Sequence, residues 1–248
     1  MTTKSDANYE FYHNVVCAIP GWLNQGAAIR TMDMLEFQEE QGMRGALLEI
    51  GVHAGRYFSI LVRSGARTKS RVVGVDRFLD PSVEKVQQTV MPLLGGGAAI
   101  AILIPAHSTE LDAPGLLDHL SERARFISVD GSHECHDVFW DLRLSEQLLA
   151  PGGVVAVDDF INPIAFGVNE AVHRFFLQPR RLVPWAYIEN KLFLCHAHWA
   201  QRYTAMLERI IMDDATERHS DVFRRHIGIS RQLVERTLWG SSLLILGP

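Results

Sequence analysis

The sequence predicts an α/β protein built on a doubly wound, largely parallel sheet, and three observations support this fold class. Short β-branched runs alternate with helical stretches through the middle of the chain, as they do in right-handed βαβ units. Two of the runs, 126–129 and 154–157, are almost wholly apolar, which is typical of strands buried on both faces of a parallel sheet. The alternation ends in two apolar runs around Glu189-Asn190-Lys191, which indicate an antiparallel hairpin.

Helices are predicted before the first strand and between the strands. Near the N-terminus, Ala28, Met32 and Leu35 recur at helical spacing, and Gly42 fits the end of that helix. Residues 57–63, 138–149 and 168–176 are the other main helical segments. The seven predicted strands lie at 46–50, 72–75, 99–104, 126–129, 154–157, 182–188 and 192–196.

The C-terminal part is predicted to return to helix. From Trp199 onward, Tyr203, Met206 and Ile210 share one helical face. The apolar ending at 243–246 is expected to pack on the protein's own core, with a second subunit as the alternative. We therefore expect an N-terminal helical cap (1–43), a core domain (44–198) and a C-terminal helical extension packed on that core (199–248).

Composition excludes several classes of function. The 248 residues are 47% hydrophobic and 21% charged, and the net charge of -5 gives no basic surface for nucleic acid. No apolar run approaches the roughly 18 residues that would predict a membrane span. The N-terminus lacks the apolar stretch of a signal peptide, and the three cysteines form no CxxC pair. A cytoplasmic location is expected.

Three carboxylates are expected to gather at one edge of the sheet. Asp130 closes the strand at 126–129, while Asp158 and Asp159 close the strand at 154–157. Open parallel sheets bind ligands at the carboxyl ends of their strands. Since clustered carboxylates repel one another and lose hydration, they need a cation or hydrogen-bond donors. The cluster therefore indicates a site, for which a divalent metal ion is the favoured occupant.

A glycine-containing turn follows the first predicted strand and contains Glu49, Gly51, His53 and Gly55. Glycines at such a turn let the backbone approach a ligand and expose helix N-terminal amides. The turn is not the dinucleotide fingerprint GxGxxG, because Glu49 occupies the first glycine position. A structural turn and a ligand-binding loop are both compatible with this pattern.

Two further positions follow the next two predicted strands. Asp76 ends the second strand, where an acid commonly accepts hydrogen bonds from a ribose diol, although a helix cap is the alternative. Ser108 follows the third strand. Its hydroxyl is suited to an adenine edge, while capping of the next helix by Ser108 or Thr109 explains it equally well.

Together these positions resemble the class I S-adenosylmethionine-dependent methyltransferases. The glycine turn, Asp76, Ser108, the Asp130 strand and the PGG turn at 151–153 follow that family's order over roughly 47–196. The runs VDGSH (129–133) and VDDF (157–160) look like those of metal-dependent small-molecule O-methyltransferases. The most similar branch is the macrocin O-methyltransferase type, which methylates sugar hydroxyls of natural products.

The resemblance implies a Rossmann-like, seven-stranded sheet with an antiparallel final hairpin, and S-adenosylmethionine as the methyl donor. It also implies a divalent metal ion, Mg²⁺ being favoured, and a small molecule with a hydroxyl group as acceptor. The implied cofactor-binding residues are Glu49, Gly51, His53, Gly55, Asp76, Ser108 and Asp130. The implied metal ligands are Asp130, Asp158 and Asp159.

His133 is the predicted general base for two reasons. It lies three residues after Asp130, and a free imidazole titrates near neutrality. A histidine that only orients Asp130 is the alternative role. A nucleotide-linked oxidoreductase is disfavoured by the missing fingerprint and the carboxylate cluster. A catalytically silent relative that binds S-adenosylmethionine is the third hypothesis. No nucleic-acid or membrane partner is expected, and a homo-oligomer is left open.

Overall fold

The computed structural model describes residues 4–96, 100–213 and 234–246, and the described strands form one sheet. The strand order is β3-β2-β1-β4-β5-β7-β6-β9-β8. The strands are β1 (Ala46–Ile50), β2 (Val72–Asp76), β3 (Ala101–Pro105), β4 (Ala124–Val129), β5 (Leu149–Val157), β6 (Leu182–Ile188), β7 (Lys191–His196), β8 (Val234–Leu238) and β9 (Ser241–Leu246). The helices are α1 (Lys4–Asn14), α2 (Gln25–Glu40), α3 (Phe58–Thr68), α4 (Val83–Val90), α5 (Ala113–Leu120), α6 (Cys135–Leu148), α7 (Phe166–Phe176) and α8 (Ala197–Asp213).

Helices cover both faces of the sheet, as the doubly wound prediction requires. Apolar residues of α2, α3 and α8, such as Met32, Phe58 and Leu207, pack in one core on one face. Residues of α5, α6 and α7, such as Leu116 and Leu142, pack in a second core on the other face. The central strands β1 and β4 are buried along their whole length, which explains their apolar composition.

The parallel strands end in register, and this brings the predicted site residues to one edge. Ile50 pairs with both Val75 and Val129, and Val129 pairs with Val157. The residues that follow these strands therefore emerge side by side. The chain order runs from β1 outward to β3 and then returns to β4, so a crevice opens between β1 and β4.

All seven predicted strands are present, and the antiparallel hairpin is confirmed. Strand β7 runs antiparallel between β5 and β6. The strand predicted at 154–157 is longer than expected, because β5 begins at Leu149. That residue was assigned to the preceding helix, which ends at Leu148.

The predicted C-terminal extension is only partly helical, and this corrects the sequence analysis. Helix α8 is present, but 234–246 form a hairpin whose strand β9 pairs in parallel with β6. The apolar ending is a strand and not a helix face: β9 pairs with β6 on one side and β8 on the other, and Leu243 and Leu244 are both buried. The prediction that it packs on the protein's own core is correct. The sheet thus has nine described strands instead of seven.

Among the described residues, no helix combines the length and apolarity needed to cross a bilayer. The division into 1–43, 44–198 and 199–248 stays a prediction, although the last two strands extend the core sheet.

Candidate active site

Two adjoining cavities open at the carboxyl edge of the sheet. The larger has a volume of about 450 Å³ and the smaller about 280 Å³. Both are lined by Gly51, His53 and Asp130, which form the boundary between them. The larger cavity also contains Asp158 and Asp159, whereas the smaller contains Asp76 and Ser108. The structure therefore brings Asp76 and Ser108 to one side of this boundary and Asp158 and Asp159 to the other. Of the remaining predicted cofactor positions, Glu49 lines the larger cavity and Gly55 lines neither.

Gly51 lets the loop after β1 approach the loop after β4. Its φ is +91°, and a Cβ added there would lie 2.0 Å from the carbonyl oxygen of Asp130. The amide of Asp130 in turn donates to the carbonyl of Ile50 at 2.8 Å. No larger residue fits this position without moving the backbone. Gly55 also has a positive φ of +90°, and its added Cβ would touch Val90 at 3.0 Å.

Asp76 fastens the loop after β1 to the end of β2. Its Oδ2 accepts a hydrogen bond from the His53 amide at 2.8 Å, and its Oδ1 accepts one from the Phe78 amide at 2.8 Å. Asp76 therefore joins two loops through hydrogen bonds to their main-chain amides, and it does not act as the helix cap that was the alternative. Asp76 also lines the smaller cavity, so its contact with a ribose stays a prediction that this position allows.

Ser108 lies almost buried in the wall of the smaller cavity, in a short 3₁₀ turn. The cap of that turn is His107, whose Nδ1 accepts from the Thr109 amide at 3.4 Å, so the expected cap by Ser108 or Thr109 is wrong. Helix α6 supports the turn with the buried Asp141. Burial raises the pKa of Asp141 to about 7, although the Ser108 hydroxyl partly offsets this rise.

The three predicted carboxylates do gather. One oxygen each from Asp130, Asp158 and Asp159 can be chosen so that all lie within 4.8 Å of one another. Three carboxylate oxygens are hard ligands of the kind that Mg²⁺ and similar divalent ions bind. The donor set therefore fits such an ion.

Lys191 is the residue that the sequence analysis missed. Its Nζ lies 2.7 Å from Oδ2 of Asp158 and 3.5 Å from Oδ2 of Asp130, and its side chain is only 2% exposed. Nζ also lies 4.6 Å from the centre of the Tyr57 ring. The chain itself thus supplies part of the positive charge that the carboxylates need.

The position of Lys191 follows from the direction of its strand. Because β7 is antiparallel to β5, its first residues lie beside the last residues of β5, and Leu192 pairs with Val157. A single lysine at the head of an otherwise apolar strand was the available signal. It was read only as part of a polar turn.

The charges of the cluster shift the pKa values in opposite directions. Burial has the largest single effect and raises the pKa of Asp158, but the Lys191 ammonium and the hydrogen bonds to this carboxylate together outweigh burial and hold that pKa below its usual value. For Asp130, burial and the neighbouring Asp158 charge raise the pKa well above its usual value. Glu49 is buried beside them, and burial followed by the Asp130 charge raises its pKa as well. Glu49 therefore belongs to the same group of buried charges as Asp130 and Asp158 in the larger cavity.

His133 contacts Asp159 and not Asp130, the residue that its alternative role required. Its Nε2 lies 2.9 Å from Oδ2 of Asp159, and its ring is about half exposed in the larger cavity. The other oxygen of Asp159 accepts from Asn162 at 2.7 Å and from Asn190 at 2.5 Å. Asp159 is therefore held on both sides, and it fixes the orientation of His133.

The mouth of the larger cavity is apolar. The Trp22 side chain is 91% exposed, with its ring 6.3 Å from that of His53, and Ile164 is 83% exposed. Arg56 donates to the carbonyl of Gly21 and so fixes the N-terminal segment at this mouth. Large apolar side chains that stay exposed beside a cavity commonly mark a binding surface.

Comparison with known proteins agrees with this geometry. A family model described as a methyltransferase domain matches residues 48–160, the stretch that holds the glycine loop, Asp76, Ser108 and the three aspartates. A search of curated proteins gave no match to the sequence. The matched stretch is therefore similar to a methyltransferase domain, in agreement with the resemblance drawn from the sequence.

Several solved structures share the fold. CalS11, a TDP-rhamnose 3'-O-methyltransferase of calicheamicin biosynthesis, is 19% identical over 66% of this chain and 76% of its own, with a TM-score of 0.53. An O-methyltransferase from Bacillus cereus in complex with SAH is 15% identical over 76% and 90%, with a TM-score of 0.54. TomG from Streptomyces achromogenes, in complex with SAM, is 15% identical over 78% and 89%, with a TM-score of 0.50. These similarities confirm the predicted Rossmann-like methyltransferase fold.

Proposed function

We propose that this chain, whose residues 48–160 match a family model described as a methyltransferase domain, transfers a methyl group from S-adenosylmethionine to a hydroxyl oxygen of a small molecule. The acceptor class that we propose is a sugar or another natural product. The main support is the shared boundary of the two cavities at Gly51, His53 and Asp130. A methyl donor in one cavity and an acceptor in the other would meet at this boundary.

The smaller cavity suits the adenosine part of the donor. Asp76 offers carboxylate oxygens for a ribose diol, and Ser108 lies at the far wall for the adenine. The loop from Glu49 to Gly55 would hold the methionine part. Its two glycines at positive φ allow close approach of the backbone.

We also propose that Asp130, Asp158 and Asp159 hold a divalent cation, with Mg²⁺ as the favoured ion. When bound, such an ion lowers the pKa of a hydroxyl group and orients it. The three aspartates support this assignment because their oxygens converge on the larger cavity, where an acceptor has space.

His133 is the proposed general base. Because Nε2 faces the Asp159 carboxylate and donates its hydrogen there, Nδ1 would accept the proton of the acceptor hydroxyl while the oxygen attacks the methyl carbon. The oxygen–carbon bond forms, the carbon–sulfur bond breaks, and its electron pair stays on sulfur to leave S-adenosylhomocysteine. Asp159 would stabilise the imidazolium that results, since it contacts the same ring. The alternative role is that His133 only orients Asp159.

The walls of the larger cavity support an acceptor with an apolar face. Trp22 and Ile164 offer apolar surface at the mouth. The cytoplasmic location stays a prediction from the sequence, which leaves a homo-oligomer open.

Labelled methyl transfer tests the proposal. The full chain would be incubated with methyl-labelled S-adenosylmethionine, MgCl₂ and a panel of neutral phenols, catechols and glycosylated natural products. We expect label on a hydroxyl oxygen of at least one compound, identified by mass spectrometry. Binding of NAD without S-adenosylmethionine would favour the oxidoreductase. Cofactor binding without transfer to any hydroxyl, with or without metal, would favour the silent relative.

A further inference from the structure

Lys191 occupies the place where a bound cation would be expected. Its ammonium touches two of the three aspartates, Asp158 at 2.7 Å and Asp130 at 3.5 Å. The side chain is 2% exposed and starts from the first residue of β7, so it enters the cluster from the protein interior. It is therefore a fixed part of the cluster and not a surface lysine that happens to lie near it.

Two cations at these carboxylates would compete. A metal ion bound to the Asp158 oxygen that Nζ contacts would lie within roughly 5 Å of that ammonium, given a coordination distance near 2.1 Å. Like charges at this distance repel strongly inside a protein, where screening is weak. The ring of Tyr57, 4.6 Å from Nζ, already contacts the ammonium, and this contact would remain favourable when an ion occupies the carboxylates.

We propose that Lys191 is a built-in counter-cation that competes with the metal ion for Asp130 and Asp158. Its ammonium contacts these carboxylates when no ion is bound, and it leaves them but keeps its contact with the face of Tyr57 when one binds. The lysine thereby weakens metal binding and keeps the empty cluster folded. This role rests on the proposed function, because it takes the aspartates to be the metal ligands.

Lysine-selective NMR on the wild-type chain gives a direct test. The sequence has only four lysines, Lys4, Lys69, Lys85 and Lys191, so a protein labelled with ¹³C-lysine gives four ε-methylene signals. Titration with MgCl₂ alone should move the Lys191 signal progressively, while those of the exposed Lys69 and Lys85 stay in place. Binding of Mg²⁺ seen by calorimetry without movement of the Lys191 signal would overturn the proposal.

Replacement of the lysine gives the second test. Lys191→Met keeps the length of the side chain and removes its charge, and Lys85→Met is the matched loss of charge at an exposed site. In calorimetric titrations with MnCl₂, Lys191→Met should bind about 10-fold more tightly than wild type or Lys85→Met, because a repelling charge has been removed. In EDTA it should melt at a lower temperature, and MnCl₂ should raise its Tm more than that of wild type.

The outcomes separate this role from the proposed function. Equal affinities in all three proteins would remove the role of Lys191 and leave the metal site. Absence of binding in all three would remove the metal from the proposed function, and the competition with it. If Lys191→Met folds only with MnCl₂, the ion replaces the lysine and the proposal is supported. If it folds under neither condition, the NMR titration of wild type decides.

Discussion

The two sides of the site are built in different ways. The donor side, which consists of Gly51–Gly55 with Asp76 and Ser108, is shaped by the backbone: Gly51 permits a close approach of two loops, and Asp76 binds two main-chain amides. The acceptor side, which consists of Asp130, Asp158, Asp159, Lys191 and His133, is held by charges on side chains from separate strands.

This difference predicts how each side responds to change. Backbone geometry is set when the sheet forms, so the donor side depends on packing and little on the state of ionisation. The acceptor side balances buried charges, and the loss of one partner leaves another uncompensated. Substitutions on the acceptor side should therefore affect the reaction and leave cofactor binding intact, whereas substitutions on the donor side should do the reverse.

The largest expected effect is that of Asp159→Asn. The substitution removes one proposed metal ligand and the carboxylate that contacts His133, but keeps the shape of the side chain. We expect kcat/KM for methyl transfer to fall by about 1,000-fold, because the substitution weakens both the orientation of the general base and the activation of the hydroxyl by the metal ion.

The affinity of Asp159→Asn for S-adenosylmethionine, measured by calorimetry, should differ from that of wild type by less than about 3-fold, which is a small change in binding free energy. A comparable loss of cofactor affinity would contradict the separation of the two sides.

His133→Ala should have the next largest effect. Removal of a general base is expected to lower kcat by about 100-fold. Because the ring is about half exposed, added imidazole should reach the vacated position and restore part of the activity. If the variant instead loses metal affinity and imidazole has no effect, His133 orients Asp159 and another group takes the proton.

On the donor side, Asp76→Ala should weaken S-adenosylmethionine binding by about 10-fold or more, since two loop amides and the proposed ribose contact lose their acceptor. Asp112→Ala is the matched control. Asp112 accepts from the Gly115 amide at the start of α5 and lines neither cavity. That variant should lower the melting temperature to a similar extent, while cofactor affinity stays at the wild-type value.

The same contrast explains what the sequence could predict. The predicted cofactor residues lie at the carboxyl ends of strands or just after them, so strand periodicity and the spacing of glycines were sufficient to place Glu49, Gly51 and Asp76 at one edge of the sheet. The three aspartates were found in the same way. Their cation was not, because Lys191 joins the cluster only through the antiparallel pairing of β7 with β5, 33 residues after Asp158 in the sequence.

Long-range pairing also explains the errors at the C-terminus. The helical periodicity from Trp199 to Ile210 is real, but it does not continue into Leu243 and Leu244. Those residues form a strand because β6 presents a free edge to which they pair. Local patterns contain no information about which edge is left unpaired.

A smaller effect is expected from pH, through Asp141 beneath the Ser108 turn. Because burial raises its pKa to about 7, the folded protein binds a proton that the unfolded chain releases near pH 4. Its contribution to stability is therefore complete below about pH 4 and is lost as the pH rises through about 7. Asp141→Asn, which stays neutral, should melt roughly 5 °C above wild type at pH 8.

That advantage should shrink toward pH 5, because the wild-type carboxyl is then protonated in the folded state. Asp118→Asn, at an exposed position of α5, is the control and should show no such trend. A constant difference between Asp141→Asn and wild type across this range would show that Asp141 is already ionised in the folded protein.

The central claim is that the carboxyl edge of the sheet is a methyl-donor site, and competitive calorimetry tests it most directly. The full chain would be titrated with S-adenosylmethionine and, separately, with NAD. We predict one S-adenosylmethionine bound per chain, lost on addition of S-adenosylhomocysteine and weakened in Asp76→Ala, with no heat from NAD. Binding of NAD with none of S-adenosylmethionine would contradict the account.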